Sequence, residues 1–178
     1  MSLYSEHAVQ DSQFDQSLGN PLHLRLPLSI RVKVIIAHCA TDGYDFDFEV
    51  KQQKVPSFEL FTRLMNDPKY VDELYADISV TPQINRAKYL PSLLTKKEWH
   101  SRLLNGSDYP LSAIPILFSL RLLRTMGLLT EKEVWQLNKV RKVNPLLFDF
   151  LLKRSLSFEG HKFDHLVFET KRIFDVNS

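Results

Sequence analysis

Seven consecutive residues restrict this chain more than any other stretch. Tyr44-Asp-Phe-Asp-Phe-Glu-Val50 alternates apolar and acidic side chains with a period of two. A helix would scatter those four apolar groups around its axis, whereas a strand gathers them on one face. The pattern predicts a half-buried strand with Tyr44, Phe46, Phe48 and Val50 toward the core and Asp45, Asp47 and Glu49 toward water. Ile30-Arg-Val-Lys-Val-Ile-Ile36 alternates in the same way and is rich in β-branched residues, which suit a pleated surface. Joined through Thr41-Asp42-Gly43, the two would pair antiparallel, with Val34 opposite Val50, Ile36 opposite Phe48 and Ala40 opposite Tyr44. Gly43 would take the left-handed position of that turn. A hairpin over about 30–50 is expected; the competing reading is a helix capped by Ser29 with Ile30, Val34 and His38 on one stripe.

From Val55 onward the signals are helical. Phe58, Phe61, Leu64 and Met65 suggest a short helix, and Asp67-Pro68 and Thr81-Pro82 each read as a cap followed by a first-turn proline. The first of these would open a helix from Tyr70 to Ile78. Thr95-Lys-Lys-Glu98 and Thr130-Glu-Lys-Glu133 have capping-box spacing. The first box would start a helix that ends at Asn105-Gly106 and buries Trp99 and Leu103. Ser112 to Met126 is apolar on most sides, the mark of a central helix, and Gly127 stops it. Asn144-Pro145 restarts the chain after the second box, and Leu146 to Leu152 is densely apolar. Phe163 to Phe174 closes as an amphipathic helix with Leu166, Val167, Thr170, Ile173 and Phe174 on one face. The expected architecture is mainly α. Residues 1–28 form a flexible arm pinned by Leu22, Leu24 and Leu26, and residues 29–178 form a single mostly helical domain with one N-terminal hairpin.

Much chemistry is missing. Five isolated glycines leave no phosphate-cradling loop, and neither a Gly-x-Ser-x-Gly elbow nor a His-Glu-x-x-His helix occurs. A single cysteine, Cys39, excludes an internal disulfide and a cysteine metal cluster. His161 and His165 are four apart but have no third ligand at a suitable spacing. Asp42, Asp45, Asp47 and Glu49 lack the glycine-centred turn of a calcium loop. His38 adjoins Cys39, yet neighbours on a strand point to opposite faces, so Cys39 reads as a buried thiol rather than an activated nucleophile. No metal and no cofactor is expected. No apolar run reaches the ~18 residues of a bilayer span, and the N-terminus lacks a secretory signal, so a cytoplasmic chain without a membrane is expected.

Charge is unevenly distributed. Residues 1–85 hold 7 Lys/Arg against 12 Asp/Glu, and residues 86–178 hold 16 against 9, so a net −5 is followed by a net +7. The basic half could face nucleic acid or an acidic protein, through Lys96, Lys97, His100 and Arg102 and then Lys139, Arg141 and Lys142. Arg141 shares a face with Val134 and Leu137, so its stem would pack while its head reaches an acidic strand residue.

Residues 116–148 run from an apolar helix through Gly127-Leu-Leu129 and a capped helix to Arg141 and Asn144. They resemble the helical core of HEPN-like domains, including the mannitol-operon-repressor-like group. That resemblance implies a helical scaffold, and ribonuclease members carry an Arg followed four to six residues later by His. Here Phe148 follows Arg141 and no histidine does, so the resemblance implies a scaffold that has lost catalysis. Arg31 and His38, and Arg154 and His161, have the six-residue interval, in which His could act as acid or base and Arg could stabilise a phosphorane.

Two functional readings follow. The first is a non-enzymatic cytoplasmic binding protein, a regulator or accessory subunit, pairing as a homodimer through its C-terminal helices. The second is a nucleic-acid-binding regulator or weak HEPN-like ribonuclease that uses the basic half.

Overall fold

The computed structural model describes residues 19–50 and 53–174. Most of the expected arm, residues 1–18, lies outside them. The described chain falls into two compact units that divide between Asp77 and Ile78. Residues 78–85 carry no charge, so this division coincides with the change from net −5 to net +7.

The first unit contains α1 (Arg25–Ser29), β1 (Val34–Ile36), β2 (Tyr44–Asp47), β3 (Gln53–Pro56), α2 (Ser57–Asn66) and β4 (Leu74–Asp77). β1 pairs parallel with β4, placing Val34 opposite Leu74 and Ile36 opposite Ala76. β2 pairs antiparallel with β3, Tyr44 facing Pro56 and Asp47 facing Gln53. This overturns the expected hairpin of 30–40 with 44–50. Strand β1 ends after three residues because His38, Cys39 and Ala40 all turn left-handed, at φ 54°, 51° and 47°. Each such non-glycine residue costs roughly 1–2 kcal/mol, and the turn is held by the Thr41 hydroxyl donating to the His38 carbonyl at 2.7 Å. The Cys39 thiol donates to the Asp77 carbonyl at 3.1 Å. Helix α2 forms as expected, burying Phe58, Leu60, Phe61, Leu64 and Met65 and leaving Glu59 outside. Burial of each such side chain contributes about 2 kcal/mol. Leu22, Val55 and Leu60 pack as one cluster, so Leu22 does anchor the start of the described chain, whereas Leu26 is exposed.

The expected helix from Tyr70 to Ile78 is instead a 3-10 turn at Pro68–Tyr70 followed by β4. Leu74 and Ala76 are buried and alternate with half-buried Tyr75 and Asp77, so the period in use is two.

The second unit contains α3 (Leu90–Thr95), the two-residue strand β5 (Leu103–Leu104), α4 (Leu120–Thr125), α5 (Glu131–Arg141), α6 (Pro145–Ser155), and the short hairpin of β6 (Ser157–Phe158) with β7 (His161–Lys162). The capping box of Thr130 and Glu133 opens α5, and Asn144 caps α6 ahead of Pro145. Gly127, at φ 74°, ends α4, with the Leu128 N–H donating to Leu123 and the Gly127 N–H to Arg124, both at 2.9 Å. Three expected helices are corrected. Thr95 donates to Pro91 and Ser92, finishing α3 rather than opening a helix, and Lys97–Arg102 winds as a 3-10 segment. Trp99 and Leu103 are nevertheless buried. The span 112–126 is broken by Pro115, which forces Ile114 into extended backbone, so only Leu120–Thr125 is α-helical. Residues 163–174 form two 3-10 turns, His165–Phe168 and Thr170–Ile173.

The fold is mixed α/β, not mainly α. Helical turns account for 54% of it, but a parallel strand pair and two antiparallel ladders accompany them. Among the described residues no helix is long and apolar enough to cross a membrane.

Candidate interaction surfaces

Each unit carries one element turned inside out. In the first it is β2. The antiparallel register puts Tyr44 and Phe46 on the same face as Pro56 and Lys54, while Asp45 shares the opposite face with buried Val55. That opposite face is the inner one. Asp47 is fully buried and ion-paired with Arg63, and the Ser57 hydroxyl donates to Asp45 at 2.6 Å. Arg63 also reaches Glu59 at 2.8 Å, and Arg25 pairs with Glu49 at 2.5 Å. Burial alone would raise the Asp47 carboxyl, but hydrogen bonds from Arg63 and from the Glu49 N–H hold it below its ordinary value. The hydrogen bond from Arg25 lowers Glu49. With Asp45 and Asp47 turned inward, Tyr44 and Phe46 on the strand and Phe48 and Val50 in the turn after it stand 48–59% exposed. The expected orientation of this strand is therefore reversed.

In the second unit the inverted element is α6. Asp149 and Lys153 lie one turn apart on its buried face, joined at 2.7 Å, and Lys153 is fully enclosed. The Lys153 ammonium also donates to the Gly106 carbonyl at 2.5 Å and reaches Asn105 Oδ1 at 3.5 Å. Burial pushes the Asp149 carboxyl up, and the Lys153 charge opposes that. Phe148 and Leu152 fill the rest of the inner face, leaving Leu146, Leu147 and Phe150 exposed, with Val143 at 84% in the turn before them. Phe150 meets Phe168 edge-on at 5.4 Å between ring centres.

The cations singled out from the sequence split between two elements, and three of the seven are turned inward. His100 is buried in the 3-10 segment: one ring nitrogen faces the Leu93 carbonyl at 3.0 Å and the other accepts the Asp164 N–H at 3.0 Å. Those partners fix a neutral imidazole, and burial lowers its pKa. Arg102 is buried in the same segment. Arg141 does not reach an acidic strand residue. Its guanidinium donates to the carbonyls of Pro115 at 2.6 Å and Phe118 at 2.8 Å and lies 4.7 Å from the Phe148 ring centre. Pro115, which breaks the 112–126 span, leaves these carbonyls free of an α-helical ladder, and Arg141 takes them. Lys97 is exposed and donates to the Lys162 carbonyl, while Lys96 sits 3.6 Å from Glu98 and 5.7 Å above Trp99. Lys139 stacks 3.5 Å over exposed Trp135, and Lys142 is exposed where α5 ends.

His38 Nδ1 stands 3.5 Å from Asp77, where β1 and β4 end. Cys39 between them is enclosed and its thiol is pushed well up by burial, so it is no nucleophile. His161 belongs to β7 and His165 to a 3-10 turn, so they share no helix face, and no group of three metal-ligating side chains occurs among the described residues.

Compared with protein-family models, curated proteins and solved structures, the chain matches none of them.

Proposed function

We propose that this chain is a cytoplasmic binding protein, a regulator or accessory subunit, and that it pairs with a second copy through the outer face of α6. One observation carries the reading: α6 is apolar on both sides, with Asp149 and Lys153 inside, Leu146, Leu147 and Phe150 outside, and Arg154 its one exposed charge. A helix that is apolar all round belongs in an interior, and a buried ion pair is a costly way to free leucines for the surface unless that surface is used. The HEPN-like resemblance of 116–148 enters only as scaffold, because Arg141 is committed to the Pro115 and Phe118 carbonyls. Nucleic acid is the weaker partner, since His100, Arg102 and Arg141 are occupied inside the unit.

Light scattering tests the pairing. The parent should run at twice its 20.8 kDa, and Leu146→Ser/Phe150→Ser should return it to the single-chain mass with its fold intact by circular dichroism. A parent that stays at 20.8 kDa up to high protein concentration refutes it.

A further inference from the structure

Helices α5 and α6 are joined by three residues and pack side by side, and a groove of about 340 Å³ runs between them. Its floor is Leu137, Val140 and Leu151, with Gln136 and Ser155 along it. By helical spacing the apolar line continues toward the turn through Val143 and Leu147, both exposed. On the solvent side of α5 stand Lys132 and Lys139, seven residues apart, and on the solvent side of α6 stands Arg154. None of these three cations has a carboxylate partner among the described residues. Lys139 lies over Trp135 and Arg154 over the Phe168 ring instead. Glu133 also lines the groove, but its carboxylate is held by the Thr130 N–H and hydroxyl, both at 2.7 Å.

An apolar floor between two helices is shaped for a third helix laid along it. The walls choose its charge. Un-neutralised cations on both sides of the groove, in a unit of net +7, favour acidic flanks and oppose basic ones. A second copy would bring the same cations to the same walls. We infer that the α5–α6 groove is a docking site for an amphipathic helix of a different protein, with an apolar stripe at i, i+3, i+4 and i+7 flanked by Asp or Glu. The inference rests on the reading of this chain as a binding protein, but it uses a different stripe of α6 from the Leu146 and Phe150 pairing face.

The test uses fluorescence anisotropy on the full chain with two labelled probes of about 14 residues, long enough to cover both helices. One carries leucine on the stripe and glutamate on its flanks, and the other has lysine in place of glutamate. The glutamate peptide should bind at least about tenfold more tightly than the lysine peptide, and more weakly as salt rises. Lys132→Glu/Lys139→Glu/Arg154→Glu should reverse that preference, and Leu147→Ser/Leu151→Ser should abolish binding of both. Equal affinity for the two peptides, or binding of neither, overturns the inference. So does a dimer that Leu147→Ser/Leu151→Ser dissociates, because a second copy would then cover the groove. A monomeric parent that still prefers the glutamate peptide leaves the groove assignment standing and removes only the pairing through Leu146 and Phe150.

Discussion

Replacing Lys153 by methionine isolates what the inverted face of α6 costs. The side chain keeps most of its length as an unbranched apolar stem, but its ammonium is gone. Lys153 is wholly enclosed and Asp149 is 2% exposed, so no water can take the place of the lost charge. Breaking one partner of such a pair costs about 3–5 kcal/mol, and here the Gly106 carbonyl loses its donor as well. For a chain of this size each kcal/mol moves Tm by about 2–4 °C, so a fall of roughly 6–20 °C is expected. Both tryptophans, Trp99 and Trp135, belong to the second unit, so tryptophan fluorescence follows the melting of the unit that holds the pair. Asp149→Leu/Lys153→Met should recover most of the loss, because two apolar groups need no counterion. The single variant should also gain stability toward acid. Burial already pushes Asp149 up, and removing Lys153 removes the charge that opposes this, so the folded state binds a proton the unfolded chain does not. Its deficit should therefore shrink as pH falls from 7 through the raised pKa. A single variant that melts with the parent at pH 7, or whose deficit grows in acid, refutes the account of an enclosed pair facing inward.

Three further outcomes are expected. His100 is depressed below its ordinary 6.5, so above pH 6.5 its contribution is fully present and below it stability declines as the unfolded chain takes up the proton first; thermal melts from pH 8 to 5 should show this, and His100→Gln should flatten that part of the profile. Gly43 sits at φ 82° with the Ser57 hydroxyl 3.4 Å from where a Cβ would lie, so Gly43→Val should cost about 1 kcal/mol or more, read as a lowered Tm. Arg141→Glu should lower Tm by several degrees through the Pro115 and Phe118 carbonyls, whereas Lys139→Glu/Lys142→Glu should leave it unchanged; gel shifts of these variants at two salt concentrations measure whether the exposed lysines hold nucleic acid at all.

Local chemistry was legible from residues close together in sequence. Thr130 and Glu133 fix the start of α5, Asn144-Pro145 the start of α6, and Gly127 the end of α4, because each acts within one turn of itself. The charge division at 85 likewise lies within a few residues of the unit boundary. Non-local choices were not legible. Val71, Leu74, Tyr75 and Ile78 fit a helical period, yet Leu74–Asp77 is a strand because Val34–Ile36, far upstream, lies beside it. Alternation in 44–50 identified a strand, which ends at Asp47 with residues 48–50 in a turn, but not its inner face. That was decided by Arg63 and Ser57, which neutralise and bind the acids from a helix beyond the turn. The surplus of leucine in 146–152 was legible, but the groove and the choice of which leucines face out were not: nothing near Asp149 and Lys153 says that Asn105 and Gly106 will receive the lysine.

The parallel pairing of β1 with β4 sets a timetable for synthesis. Val34 meets Leu74, forty positions later, and neither a tight turn nor a neighbouring strand can hold Val34-Ile-Ile36 in the meantime. At translation speeds of about 5–20 residues per second, the ribosome needs roughly 2–8 seconds to deliver the partner strand. During that interval three apolar residues with unpaired backbone groups wait beside the emerging alternation of Tyr44 to Val50, the same segment that sequence patterning pairs with them. In the folded chain the left-handed run at His38–Ala40 turns away from that pairing, and since the Cys39 thiol donates to the Asp77 carbonyl, a contact that holds the strained run arrives only with β4.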